Sequence, residues 1–261
     1  ISYMDIADNV ATTTASTDGS AVTFDKTLPA LTSVAVSAAG TAATHAKAGD
    51  AVTLTLVADE AVKAPTCVLQ SGGQPVAASV VVSDSGDQDP KTWTCTVQMG
   101  AGDAEGDVGF SVAFSDTAEN AGVPVTAVTG SGAGTSVRFD RSSPTLTVVS
   151  ISAPGSDTTR AKPTDVVTVT MTASEDIVTP VCSFSSGGAS IPAVRVLPAT
   201  DSGDTLGTTW TCAFTCAGAD TNGAVGFSIS YMDIADNVAT TTVSTDGSAV
   251  TFDKTLPALT S

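Results

Sequence analysis

The strongest constraint on this chain is that it repeats itself. Residues 1–33 recur at 229–261 with 32 of 33 positions identical, the one difference being Ala15 against Val243. The period is therefore 228 residues. A weaker repeat lies inside it: 47–73 and 162–188 share 12 of 27 positions. Thr92-Trp93-Thr94-Cys95 returns as Thr209-Trp210-Thr211-Cys212. Phe24-Asp25-Lys26 returns as Phe139-Asp140-Arg141 and again as Phe252-Asp253-Lys254. Two slightly different units, each of about 114 residues, alternate along the chain, which is the mark of an array. A unit of this length can enclose its own core, unlike a short solenoid repeat.

Within a unit the apolar residues alternate. Val52, Leu54 and Leu56 are interleaved with threonines, as are Val167, Val169 and Met171. Val108, Phe110, Val112 and Phe114 form a third such run, and Val225, Phe227, Ile229 and Tyr231 a fourth. A period of two with one apolar face means half-buried strands. Ser71-Gly72-Gly73, Gly100-Ala101-Gly102 and Ser186-Gly187-Gly188 supply turns between them, and no stretch carries a helical period. The expectation is all-β, about seven strands per unit, folded as a sandwich. For the second unit the strands are placed near 145–151 (A), 166–172 (B), 179–184 (C), 192–197 (D), 208–214 (E), 225–231 (F) and 248–253 (G). The domain reading is 27–140 and 141–254, with 255–261 opening another unit. Residues 1–26 are then only the closing strands, F and G, of a preceding unit. Ile1-Ser2-Tyr3-Met4 reads as the middle of a strand, so the sequence looks like a window on a longer protein.

Several short motifs, in this order and spacing, resemble the tandem bacterial-type immunoglobulin-like repeats of giant adhesins and surface proteins. Asp25…Pro29 and Asp140…Pro144 resemble their Asp-Thr-Thr-Ala-Pro linker. Tyr231-x-Asp-x-Ala-Asp-Asn237 resembles their Asp-x-Ala-Gly-Asn turn, with Asp236 in place of the glycine, and Phe114-Ser-Asp-Thr-Ala-Glu-Asn120 is a second version. Ala58-Asp59-Glu60 and Ala173-Ser174-Glu175 resemble the Ser-Glu after strand B. The resemblance covers essentially the whole chain and implies immunoglobulin-like β-sandwich domains in a linear array. Such repeats are usually poor in cysteine, whereas this chain has five.

Four of the cysteines align in pairs, Cys67 with Cys182 and Cys95 with Cys212. That alignment favours one intradomain disulfide per unit, Cys67–Cys95 and Cys182–Cys212, joining strands C and E of opposite sheets. Disulfides imply an oxidising, extracellular compartment. Buried free thiols are the alternative; zinc fits poorly, because there is no Cys-x-x-Cys and the single histidine, His45, falls in a polar stretch read as a loop. Cys216 takes the place of Met99, either as a small apolar core residue or as the source of an interchain bond. Trp93 and Trp210 read as core residues beside the cysteines.

Lysine and arginine number 10 against 27 acidic residues, a net charge of −17. Nucleic acid and anionic membrane surfaces are themselves polyanions, so both are excluded as partners. No apolar stretch reaches 18 residues, so nothing inserts into a membrane. One histidine leaves no His-based triad, and there is no phosphate loop or nucleophile elbow, so the chain is read as no enzyme. The acidic residues converge, in this topology, on the pole where the linker enters. For the first unit they are Asp25, Glu60, Asp84, Asp87, Asp89, Asp116 and Glu119, with Asn120 beside them. For the second they are Asp140, Glu175, Asp201, Asp204, Asp233 and Asp236, with Asn237. Either these carboxylates face water, or Ca²⁺ neutralises them and ties linker to loops; Arg141 and Lys254 offer a counter-charge without metal. The resemblance implies Ca²⁺. The functional expectation is an extracellular stalk, filament or adhesin spacer, whose partners are neighbouring repeats and other copies in a filament. The alternative is a binding module using loops at one pole. The Met4–Asn9 turn, unchanged at Met232–Asn237, favours the structural reading.

Overall fold

Threonine-rich alternation fixes which face of each strand turns inward. In the computed structural model, which describes residues 1–16, 18–84, 86, 90–130, 136–201 and 206–258, the strand Ala51–Ala58 buries Val52, Leu54, Leu56 and Ala58 and turns its threonines away. It lies at the centre of a four-stranded antiparallel sheet with the order Leu31–Ala38, Ala51–Ala58, Thr92–Gln98, Val81–Asp84. Facing it is a second sheet, in which Arg138–Phe139, Gly106–Ala113, Thr66–Ser71 and Gln74–Pro75 follow one another. In strand letters this is A-B-E-D against G-F-C, the immunoglobulin-like order. The short strand His45–Ala46 runs parallel to Arg138–Phe139 at the edge. His45 therefore sits in a sheet rather than in the loop expected for it, with its Nδ1 3.1 Å from the Thr44 hydroxyl.

Residues 146–252 repeat this plan. Leu146–Ser152, the first half of Val166–Ser186, Leu206–Thr215 and Val196–Thr200 form one layer, and Thr251–Phe252, Gly223–Met232 and the second half of Val166–Ser186 form the other. Each set of strands encloses its own apolar cluster, one drawn from Val34 to Phe139 and the other from Val149 to Phe252. Val238–Thr241, which the sequence reading left unassigned, pairs back on Gly223–Met232.

Three expectations need correction. Strands B and C of the second unit are one continuous strand, Val166–Ser186, that passes from one layer to the other through two register shifts. The cause is local: Ile177 and Val178 pair with Gly207 and Leu206. In the first unit Pro90 occupies the position of Gly207, lacks an N–H, and the strand Thr92–Gln98 begins after it. Strand D of the second unit begins with a 3-10 turn, Ala193–Arg195, before Val196–Thr200. Strand G shrinks to Thr251–Phe252, although the Val250 carbonyl still accepts the Val225 N–H at 2.8 Å.

The cysteines lie where the sheets meet. Cys67 is joined to Cys95 and Cys182 to Cys212, with Cα–Cα distances of 6.4 and 6.3 Å, and each bond links the two layers of its unit. Cys216 is free and buried, so the core reading holds and an interchain bond through it does not. Burial pushes its thiol up to about 11. Trp93 and Trp210 are both buried, the latter donating its indole N–H to the Gly207 carbonyl at 2.9 Å.

Candidate functional site

Three elements meet at the linker end of each unit. The linker supplies Asp25 or Asp140, the segment after strand B supplies Glu60 or Glu175, and the turn after strand F supplies Asp116 or Asp233. One carboxylate oxygen from each lies within 4.8 Å of the other two, in both units. Asp116 and Asp233 are buried, while the other four are half-buried.

The turn is built by its own side chains. The Asn120 side-chain amide donates to Asp116 Oδ2 at 2.7 Å and its backbone N–H to Asp116 Oδ1 at 2.8 Å. The same amide reaches the Asp25 carbonyl at 3.3 Å, joining turn to linker. Asn237 repeats all three contacts, to Asp233 Oδ2 and Oδ1 and to the Asp140 carbonyl. Burial acts to raise the Asp116 carboxyl, but the Asn120 side chain and the turn's backbone amides together outweigh it and hold it below the usual carboxylate range. Glu60 and Glu175 go the other way. Burial first, then the neighbouring aspartates, raise both carboxyls above their ordinary value.

Glu119 and Asp236 lie outside the clusters. Both occupy the position where the resembling repeats have glycine, and both have left-handed backbones, with φ of 74° and 66°. That is where glycine is least strained. Glu119 pairs with Lys63 at 2.9 Å on the surface. Asp236 instead touches the first unit: its Oδ2 accepts the Thr41 N–H at 3.2 Å, and its carbonyl accepts Lys47 Nζ at 3.1 Å. The Thr41 contact lowers the Asp236 carboxyl. Asp84 accepts the Gly86 N–H at the end of its strand, and Asp201 belongs to neither cluster. Asp87, Asp89 and Asp204 lie outside the described residues.

Arg141 and Lys254 do not neutralise the linker aspartates. Arg141 bonds the Ala101 carbonyl and approaches Glu105 at 3.7 Å, and Lys254 Nζ donates to the Asp220 carbonyl at 2.8 Å. Glu105 is the residue that sequence reasoning missed. It accepts from the Ser142 hydroxyl at 2.7 Å and from the Arg141 N–H at 3.2 Å, fastening the linker to the first unit. It also adds its charge to those raising Glu175. No motif flagged it, because its counterpart in the second unit is Asn222, which does the same work with an amide toward Asp253, Lys254 and Thr255.

No family model matches the sequence, and no curated protein matches it. Among solved structures the chain is similar to an I-band fragment from titin, at 8% identity over 88% of this chain and 67% of that one, with a TM-score of 0.44. It is similar also to a marsupial T cell receptor (13%, 87% and 76%, TM-score 0.41) and to bovine butyrophilin (11%, 81% and 98%, TM-score 0.29). At such identities a likeness concerns the fold alone; the assignment to immunoglobulin-like sandwiches rests on the strand order and registers of the chain itself.

Proposed function

We propose that this chain is part of an extracellular structural array, a stalk, filament or adhesin spacer, whose length comes from repetition and whose stiffness comes from its junctions. The observation that supports this reading is the position of Asp140. It lies in the linker, yet its carboxylate belongs to the cluster of the unit that follows, with Glu175 and Asp233. The linker is held to the unit before it through Glu105. Asp236 adds a direct contact between the units through Thr41 and Lys47. A joint tied on both sides transmits bending poorly.

Ca²⁺ completes the proposal. Three convergent carboxylates, with no thiolate or imidazole among them, match the oxygen donors and charge that this hard cation takes. The carboxyls of Glu60 and Glu175 are raised by burial first and then by the facing aspartates, and a divalent cation would offset both. In each cluster the linker aspartate, the glutamate and the turn aspartate would hold the ion, while Asn120 and Asn237 orient the turn aspartate.

Calorimetric titration with CaCl₂, together with solution scattering of the same protein, tests the reading. Binding heat, a higher melting temperature and a longer maximum dimension are expected. An unchanged scattering profile with no heat would sink the role of the metal, and a freely bending pair under all conditions would sink the spacer.

A further inference from the structure

The fold requires glycine at the same place in both units. Gly106 and Gly223 open the strands Gly106–Ala113 and Gly223–Met232 with φ of 133° and 139°. A Cβ on either would come within 2.9 Å of the Cα of Gly72 or Gly187. What precedes that glycine differs: Glu105 in the first unit, Asn222 in the second. The chain has four asparagines, and Asn222 alone is followed by glycine; Asn9, Asn120 and Asn237 are followed by valine or alanine. The side chains of those three are bonded to Asp5, Asp116 and Asp233 within their own turns. Asn222 is bonded to the linker instead. Its Nδ2 donates to the Thr255 hydroxyl oxygen at 2.9 Å and to Asp253 Oδ1 at 3.3 Å, and its Oδ1 accepts the Lys254 N–H at 3.0 Å.

We propose that Asn222–Gly223 is a self-modification site, at which the asparagine converts to isoaspartate or aspartate and loosens the second unit's hold on the linker that leaves it. A glycine carries no side chain to shield its backbone nitrogen. The Gly223 nitrogen attacks the Asn222 side-chain carbonyl carbon and forms a C–N bond. The bond from that carbon to Nδ2 breaks, and ammonia leaves with the proton that the Gly223 nitrogen gives up. Water then opens the five-membered imide. Opening at the side-chain carbonyl leaves aspartate. Opening at the main-chain carbonyl leaves isoaspartate, with an extra methylene in the main chain where the strand Gly223–Met232 begins. The side chain must leave its bonds to the linker before its carbonyl carbon can meet the Gly223 nitrogen, so a docked linker slows the reaction. Either product removes the Nδ2 donor and adds a negative charge beside Asp253, turning an attraction into a like-charge contact. Glu105 has no amide nitrogen to expel, so the joint after the first unit is inert to this chemistry. Its side chain is 37% exposed with the second unit docked, so such a joint admits water at this position. The chemistry is independent of the array reading; only its consequence, alternate joints that soften with age, rests on it.

Peptide mapping of the full chain, incubated folded in mildly alkaline buffer, tests the reaction. Asn222 should convert to a mixture of isoaspartate and aspartate while Asn9, Asn120 and Asn237 stay intact. Asn222→Gln keeps an amide but would have to close a larger ring, and should stay unmodified. Asp253→Ala with Thr255→Ala frees the Asn222 amide and should speed conversion several-fold. Trypsin reads the consequence. Lys254 is docked through its Nζ on the Asp220 carbonyl at 2.8 Å, and Asn222→Asp should be cut after Lys254 several-fold faster than wild type. A folded chain with no modified Asn222 when the urea-unfolded chain has converted completely, or conversion that begins at another asparagine, overturns the site. A rate unmoved by freeing the amide overturns the control by the linker, and an Asn222→Asp chain cut no faster than wild type overturns the loosening. None of these outcomes touches the stiffness of the Asp140 junction, which scattering on the wild-type chain reads separately.

Discussion

At the residue scale, the two disulfides carry the clearest energetic consequence. They span 28 and 30 residues, and closing loops of that size should contribute about 3–4 kcal/mol each in the chain-entropy account. Cys182→Ser with Cys212→Ser should lower the unfolding free energy of that unit by this amount in a denaturant titration, leaving the other unit's transition in place. Cys216 should be inert: buried, with its thiol pushed up to about 11, it should react with an alkylating reagent only after the protein is unfolded. Glu119 is a residue at odds with its backbone. Glu119→Gly should stabilise the first unit by about 0.5–1 kcal/mol, because it relieves a left-handed φ and loses only a solvent-exposed ion pair with Lys63. Thermal melting reads the sign.

At the element scale, the two units differ where their sequences differ in hydrogen-bonding capacity rather than in hydrophobicity. Gly207 lets Ile177 and Val178 find partners and carries strand B into strand C; in the first unit the Pro90 carbonyl still accepts the Val62 N–H at 3.1 Å, but Pro90 has no N–H to return a bond. The turn after strand E shows the same logic. Asp103 accepts from the Gly100 and Ala77 backbones, whereas Asp220 accepts from the Ala217 backbone and also from Arg195, at 2.8 and 2.5 Å. The Arg195 hydrogen bond, ahead of the backbone donor, holds the Asp220 carboxyl below its usual value. A carboxylate lowered in the folded state contributes stability at neutral pH and loses it as pH falls through the lowered value. Asp220→Ala strands a partly buried guanidinium and should cost about 3 kcal/mol, with the loss largest near neutral pH and vanishing in acid.

At the scale of the whole molecule, the carboxylate clusters set the pH and metal dependence of the junction. Glu175 is raised in the folded state, so its ionisation works against folding: the folded chain holds the proton more tightly, and stability falls as pH rises above the ordinary glutamate value. Glu175→Gln should therefore melt at a higher temperature than wild type at pH 7 in chelator. In millimolar CaCl₂ the order should reverse, since the variant lacks one ligand. A variant that melts above wild type in both conditions would show that the cluster is repulsion and nothing more.

The repeat and the alternation were enough to make the fold legible, because a strict period of two and an aligned pair of cysteines leave few ways to bury apolar faces. They also singled out Asp25, Glu60, Asp116 and their counterparts, since loop positions in a sandwich follow from strand order. What local sequence could not decide was everything that depends on a partner brought from afar. Glu119 and Asp236 occupy the same place in the turn, but only Asp236 lies across from Thr41 and Lys47. Glu105 became part of the junction only once the fold set it opposite Arg141 and Ser142, about 36 residues along the chain.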